Sequence, residues 1–303
     1  METFKLDEQT IIERVVLKVK DLTRQIAFYE RVVGLKCIKR TQEEAFLGID
    51  NHILIEMRKV AEKEQPSKGT GLFHFALLLP SREAFATKLF HILQNKEAID
   101  SPEEQVKFLP YFDKIIPISR LDSASDHGYN ESFYIHDLEG NGIEIYADRP
   151  QIQWGNHERG VNHPLNFKEL APLADFTTDG ELPLGTVIGH VHLRLDRMEE
   201  CVDFYTDILG FELKELEEHV FFVSSSDYHH QLAGNIWSGS DITHPVAMHT
   251  GLHHIVLALP TEEALQKAKD HIKQFILMQE ATNGFFVKDP SGNVILLKVK
   301  EIM

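Results

Sequence analysis

The stretch GLFHFALLLP at residues 71–80 returns 180 residues later as GLHHIVLALP at 251–260, with six of the ten positions identical. Two more pairs of segments repeat in the same way: 15–35 with 191–211, and 133–146 (FYIHDLEGNGIEIY) with 285–298 (FFVKDPSGNVILLK). Repeats of this kind mark units of structure that recur along a chain. The protein therefore consists of two homologous halves, each built from two copies of a smaller unit.

Each small unit begins with a strand, continues with a helix and ends with short strands. In the first unit, the alternating run Val15–Val19 predicts a β-strand. Asp21 predicts the N-cap of a helix over 22–32, and Gly34 predicts where that helix ends. The simplest account of all four units is an α+β fold made of four βαβββ units.

The repeats also predict the domain organisation. We expect an N-terminal half over 1–148, a connector over 149–185 and a C-terminal half over 186–303. The connector lacks periodicity and is rich in proline, which is typical of a long linking segment.

Composition and charge exclude several classes of partner. The 303 residues include 47 acidic and 31 basic side chains, which gives a formal net charge of −16. Such a chain is repelled by a nucleic-acid backbone and by an anionic membrane surface. The apolar runs are shorter than a membrane span of roughly 20 residues, the first residues lack a signal core, and there are only two cysteines. These features predict a cytoplasmic protein.

Histidines recur at one position of the first strand of each unit. The four aligned residues are Arg14, His74, His190 and His254, so the first unit lacks the histidine. On the last strand, the second unit offers Glu144 within GNGIEIY. The matching residue of the fourth unit is leucine, so the units differ at this position as well.

Four βαβββ units, histidines on strands and a D-x-x-G-N-x-x-E strand together resemble the vicinal oxygen chelate superfamily. This superfamily includes glyoxalase I, extradiol ring-cleaving dioxygenases and bleomycin-resistance proteins. The resemblance covers nearly the whole chain except the connector. It implies that units pair into open β-cups, and that metal ligands come from the first and last strands of the units.

The segment HGYNESFYIHDLEGNGIE, from His127 to Glu144, resembles the extradiol dioxygenase signature, with Leu138 where the family usually has proline. The resemblance implies that Glu144 is a metal ligand. It also implies that Tyr134 and His127 form hydrogen bonds to the bound substrate.

The third unit resembles the other half of such a site. His190 resembles the first iron-binding histidine of the family, and His229-His230 resembles the pair that contains its acid–base histidine. We take His230 as the candidate for proton transfer, because an imidazole titrates near neutral pH.

Only units two and three together supply two histidines and a carboxylate, namely His74, Glu144 and His190. We predict that these three bind Fe(II), with Mn(II), Zn(II) or Ni(II) as alternatives. Because a metal–nitrogen bond is roughly 2 Å long, the two histidines must lie within about 8 Å of each other. A site within units three and four that uses His254 remains open, as does a degenerate second cup with Arg14, Glu56 and His254.

The resemblance implies an Fe(II)-dependent extradiol dioxygenase that acts on catechol or a small substituted catechol. Its partners would be a small aromatic substrate and dioxygen, and the family is often homo-oligomeric. A glyoxalase-like isomerase or lyase, with Gln231 as a fourth ligand, is one alternative. A binding protein of the same fold without catalysis is the other. The segment 100–126 is expected to line or cover the pocket.

Overall fold

A computed structural model describes residues 4–100, 121–156, 161–239 and 242–301. The elements of the first unit are β1 (Ile11–Val19), α1 (Leu22–Phe28), a π-helical turn (Tyr29–Val33), β2 (Lys36–Arg40), β3 (Glu44–Ile49) and β4 (His52–Lys59). Those of the second unit are β5 (Gly71–Leu78), α2 (Arg82–Asp100), β6 (Leu121–Asp126), β7 (Asn130–His136) and β8 (Gly142–Asp148).

The connector carries short elements: 3-10 helices at Gln151–Asn156 and Ala171–Leu173, β9 (His163–Pro164) and α3 (Phe167–Leu170). The third unit contains β10 (Val187–Arg194), α4 (Met198–Asp203), a π-helical turn (Phe204–Ile208), β11 (Glu212–Leu216), β12 (Val220–Ser224) and β13 (Leu232–Asn235). The fourth contains β14 (Gly251–Leu259), α5 (Glu262–Ile272), β15 (Gln279–Ala281), β16 (Gly284–Lys288) and β17 (Val294–Val299). The predicted α+β fold of four βαβββ units is confirmed, whereas the domain boundaries stay a prediction.

The strands form two mixed sheets. One has eight strands in the order β15-β16-β17-β14-β1-β4-β3-β2. The other has nine, in the order β11-β12-β13-β10-β5-β8-β7-β6-β9. The first strands of two units lie next to each other at the centre of each sheet, β1 beside β14 and β10 beside β5. The sequence repeats therefore place equivalent residues at equivalent positions of the two sheets.

The first helix begins and ends where the sequence predicts. The Asp21 carboxylate accepts a hydrogen bond from the Arg24 amide at 3.0 Å, as an N-cap does. Gly34 has a φ of 90°, and a Cβ there would lie 2.3 Å from the Gly180 carbonyl oxygen. The predicted helix over 22–32 differs in one respect, because its last turn is π-helical rather than α-helical.

The D-x-x-G-N motif is explained by the fold rather than by chemistry. Buried Asp137 accepts hydrogen bonds from the Asn141 amide at 2.9 Å and from the Asn141 side chain at 2.8 Å. It also accepts one from the Tyr29 hydroxyl at 3.1 Å. The second half repeats this cluster with Asp289, Asn293 and Tyr205. Each cluster fixes the turn that leads into the last strand of its half.

None of the described helices is long and apolar enough to cross a membrane. Of the segment 100–126, predicted to line the pocket, residues 101–120 lie outside the described residues, and Leu121–Asp126 forms β6.

Candidate metal centre

Two buried histidines meet on neighbouring strands of the nine-stranded sheet. His74 lies on β5 and His190 on β10, and their Nε2 atoms are 3.3 Å apart. They are 6 % and 2 % exposed. The separation is well below the limit of about 8 Å that a shared metal ion sets. The structure therefore brings together the two histidines that the sequence predicts as ligands.

Glu144 lies on β8, the strand that follows β5 in the sheet, and is 2 % exposed. It is paired with Tyr134 across the β7–β8 ladder. Burial and the nearby Glu144 carboxylate raise the pKa of Tyr134 well above its ordinary value. The tyrosine is thus held in its protonated form beside the carboxylate.

His74, Glu144 and His190 form one cluster, called the metal-type cluster below. A ring nitrogen of each histidine and a carboxylate oxygen of Glu144 all lie within 4.8 Å of one another, and all three residues are buried. It is the one such group of three among the residues that the structure describes. A buried carboxylate is costly without a cationic partner, and two imidazoles with one carboxylate are a donor set that divalent transition metals accept. The residues therefore fit a metal ion.

His127 and Tyr134 contact each other directly. The Nε2 atom of His127 lies 3.0 Å from the Tyr134 hydroxyl, and its Nδ1 atom lies 3.1 Å from the Val161 carbonyl oxygen. Because a carbonyl only accepts, Nδ1 carries a proton, and Nε2 shares a hydrogen bond with the tyrosine hydroxyl. Ser132 donates a second hydrogen bond to the Tyr134 hydroxyl at 3.2 Å. These contacts fix the orientation of the tyrosine.

His230 packs against His190, with the two ring centroids 4.4 Å apart. Its Nδ1 atom lies 2.8 Å from Nδ1 of His229, so one of the two nitrogens donates to the other. His230 is buried, whereas His229 is partly exposed and packs on the ring of Tyr228. Of the predicted pair, His230 is the one beside the metal-type cluster.

Several residues near the cluster were not singled out as site residues in the sequence. His192 follows His190 by two residues on β10, and its ring lies 5.1 Å from that of His74. Its Nε2 atom is 3.0 Å from the Asn235 side-chain nitrogen. Phe73 and Trp237 pack on the same imidazole at 5.1 and 5.3 Å. The alternation of β10 indicates His192, but no sequence pattern indicates Phe73 or Trp237.

The sequence model of the glyoxalase/bleomycin resistance protein/dioxygenase superfamily matches residues 11–145 and 187–297. The chain belongs to this superfamily. It is 30 % identical over 295 residues to a catechol-2,3-dioxygenase of Bacillus subtilis. The aligned region covers 94 % of this chain and 95 % of that protein.

Two solved structures share the superfamily fold. A Bacillus subtilis protein of proposed dioxygenase function matches with a TM-score of 0.59 at 12 % identity, over 99 % of this chain and 87 % of that one. Glyoxalase I from Zea mays matches with a TM-score of 0.54 at 15 % identity, over 96 % of this chain and 92 % of that one. At such low identities these matches support the fold alone.

Gln231 is the residue that the sequence offers as a candidate fourth ligand of a glyoxalase-like site. Its side-chain oxygen accepts a hydrogen bond from the Ser225 amide at 2.8 Å, and its nitrogen donates to the Thr10 carbonyl at 2.7 Å. The amide thus binds backbone groups next to the end of β12 and the start of β1, and Gln231 contributes to the fold in this structure.

The equivalent positions of the eight-stranded sheet hold a cluster of a different kind. Arg58 donates to the Glu56 carboxylate at 2.7 Å, and Arg14 lies 3.9 Å from its other oxygen. His254 contacts His253 through their Nδ1 atoms at 2.7 Å. Burial, followed by His253 and the two arginines, lowers the pKa of His254 to about 3. Arg14 also lies 3.3 Å from Glu13, so the carboxylates of this group are already paired with arginines. The two arginines beside His254 disfavour a metal cation.

Proposed function

We propose that the protein is a metal-dependent extradiol dioxygenase that opens the ring of catechol or a small substituted catechol. The observation that carries the proposal is the buried cluster of His74, Glu144 and His190, with His230 and Tyr134 beside it. The similarity to a catechol-2,3-dioxygenase over almost the whole chain supports the same reaction class. In this reaction the carbon–carbon bond next to one hydroxyl-bearing carbon breaks, and both atoms of dioxygen enter the product.

His74, Glu144 and His190 would hold Fe(II) in this proposal. Three ligands on one side leave open positions, where the metal supplies charge stabilisation for the catechol oxygens and a binding place for dioxygen. The low exposure of all three ligands keeps bulk water away from them.

His230 would accept a proton from a catechol hydroxyl. Its Nδ1 atom is engaged with His229, so the proton would arrive at Nε2. A general base of this kind needs a pKa near the working pH, which an imidazole has. His229 would then help to hold the ring of His230 in place while the proton is bound.

Tyr134 and His127 would orient the substrate. The raised pKa of Tyr134 keeps its hydroxyl protonated, so it can donate a hydrogen bond to a substrate oxygen as negative charge develops there. The contact between His127 and Tyr134 holds that hydroxyl in place.

The test is to load the full chain with Fe(II) without oxygen, then add catechol and air. We expect one iron per chain, one dioxygen consumed per catechol and a yellow ring-opened product. Glu144→Gln removes a charge from the cluster at constant size and should abolish both iron binding and oxygen uptake. Glu139→Gln removes a carboxylate from the same β7–β8 hairpin outside the cluster and should abolish neither.

Three results would overturn the proposal. Metal binding without oxygen uptake on any catechol would favour an isomerase or lyase. Equal activity with Zn(II) or Ni(II) and no need for oxygen would do the same. A chain that binds aromatic ligands but no metal would be a binding protein.

A further inference from the structure

Arg194 is a half-buried cation at the end of β10, four residues after His190. Among the residues that the structure describes, it has neither an ion pair nor a hydrogen bond, and its guanidinium lies over the Phe73 ring at 5.7 Å. Burial lowers the pKa of Arg194, and no carboxylate offsets that effect. In a protein with 47 acidic side chains, a cation that pairs with none of the described ones is unusual.

The guanidinium adjoins the aromatic side chains beside the metal-type cluster. Phe73 packs on His74 at 5.3 Å, on His192 at 5.1 Å and on Trp237 at 5.4 Å. Successive distances of 5.7 Å from Arg194 to Phe73 and 5.3 Å from Phe73 to His74 place the guanidinium carbon within about 11 Å of the His74 ring. Residues 190, 192 and 194 also alternate along β10, so all three lie on one face of the strand.

We infer that Arg194 binds a carboxylate on the ring substituent of the substrate. The inference rests on the proposed function, and it names the substrate class as catechols that carry a carboxylate on a short side chain. A ring that reaches the cluster through its hydroxyls, with one or two further carbons, spans the distance to Arg194. The planar guanidinium donates two parallel hydrogen bonds to a carboxylate, and aromatic faces such as those of Phe73 and Trp237 pack on a substrate ring.

The eight-stranded sheet offers a matched control. Lys18 occupies on β1 the position that Arg194 occupies on β10, 176 residues later. It is also buried, its pKa is lowered by burial, and among the described residues it has no carboxylate partner. Lys18→Met thus removes a buried cation from the equivalent position outside the metal-type cluster.

The experiment compares 3,4-dihydroxyphenylacetate with its neutral amide on the iron-loaded enzyme. Because hydrogen bonds to charged groups contribute about 1.5–3 kcal/mol, we expect kcat/KM for the acid to exceed that for the amide about 10- to 100-fold, mainly through KM. Arg194→Met should bring the ratio close to one, Arg194→Lys should restore part of it, and Lys18→Met should leave it as in the wild type. Added salt should lower the wild-type ratio.

The outcomes separate this inference from the proposed function. If the wild type oxidises catechol but has no preference for the acid, or if Arg194→Met keeps the preference, the inference is wrong and the dioxygenase stands. If no catechol is oxidised, the proposed function fails. In that case, calorimetry on the metal-free chain measures the binding of the acid and of the amide and so tests Arg194 by itself. If Arg194→Met weakens binding of the acid but not of the amide, the role of Arg194 is supported. If binding of the acid is unchanged, that role is contradicted.

Discussion

The two sheets of this protein share a strand order but differ in what three equivalent positions carry. On β10, β5 and β8 the nine-stranded sheet has His190, His74 and Glu144, whose donor atoms lie within 4.8 Å of one another. On β1, β14 and β17 the eight-stranded sheet has Arg14, His254 and Leu296. The repeated backbone is therefore not sufficient for a metal-type site, and the identity of these side chains decides it.

His254 illustrates the difference most clearly. It stands in the same strand position as His74 and is also buried. In the eight-stranded sheet, however, its neighbours are His253 and two arginines, and its ring packs on Phe286. The carboxylate of this sheet, Glu56, is already paired with the two arginines. A histidine in a repeated motif therefore becomes a neutral core residue here.

The largest expected difference between the sheets is the effect of removing these two histidines. Losing a residue that hydrogen-bonds to a metal ligand typically lowers metal affinity or activity 10- to 100-fold, so losing the ligand itself should cost more. We expect His74→Ala to lose iron and to lower kcat/KM for catechol by at least about 100-fold. His254→Ala should keep both the iron and the rate.

Both alanine variants remove a buried ring, so urea unfolding must accompany the assays to establish that each is folded. Comparable losses of stability with opposite effects on iron content would support the comparison. Iron and activity lost in His254→Ala but kept in His74→Ala would instead place the site in the third and fourth units.

The next effect concerns Tyr134 on β7 and its equivalent Phe286 on β16. Tyr134→Phe removes the hydroxyl that contacts His127 and lies near Glu144. A hydrogen bond to a charged group contributes about 1.5–3 kcal/mol, so kcat should fall about 10- to 100-fold, with a smaller change in KM. Steady-state oxygen uptake measures both. Phe286→Tyr is the reverse change and should leave the kinetics unaltered; an unchanged kcat in Tyr134→Phe would exclude its role.

The repeats made the fold and the grouping of the candidate metal ligands predictable from the sequence. Aligning the four units predicted His74, Glu144 and His190 as one group, because only one combination of units supplies two histidines and a carboxylate. The structure brings these three residues together. The same alignment predicted four βαβββ units, which the strand orders confirm. The Asp and Asn of the D-x-x-G-N motif turned out to fix a turn through buried hydrogen bonds, in both halves.

Side-chain contacts between neighbouring strands could not be predicted from the sequence. Phe73, Trp237 and Arg194 come from different segments, and only the strand order and side-chain packing bring them together. Gln231 shows the same limit, since its contacts with Ser225 and Thr10 depend on the local course of the backbone. A pattern of residue types indicates which strand a side chain is on, but not what lies opposite.

The helices after β5 and β14 carry different buried residues at one equivalent position, Lys88 and Ala268. Lys88 is fully buried, donates to the Gly180 carbonyl at 2.6 Å, and has a pKa that burial lowers to about 7. Between about pH 7 and 10 the unfolded chain binds a proton at this amine and the native state does not, so stability rises with pH by up to about 1.4 kcal/mol per unit. Urea unfolding of Lys88→Met should lack this slope, and an equal slope in both proteins would contradict it.

The smallest expected difference is between the two buried aspartate clusters, which should behave alike. Tyr29 donates to Asp137 at 3.1 Å and Tyr205 donates to Asp289 at 3.0 Å, and burial raises the pKa of both carboxyl groups. Removing either hydroxyl leaves a buried acceptor with one donor fewer, which costs about 1–3 kcal/mol. Tyr29→Phe and Tyr205→Phe should thus lower the free energy of unfolding by similar amounts without changing oxygen uptake. A clear loss in only one of them would mean that the halves differ in their supporting turns as well as in their chemistry.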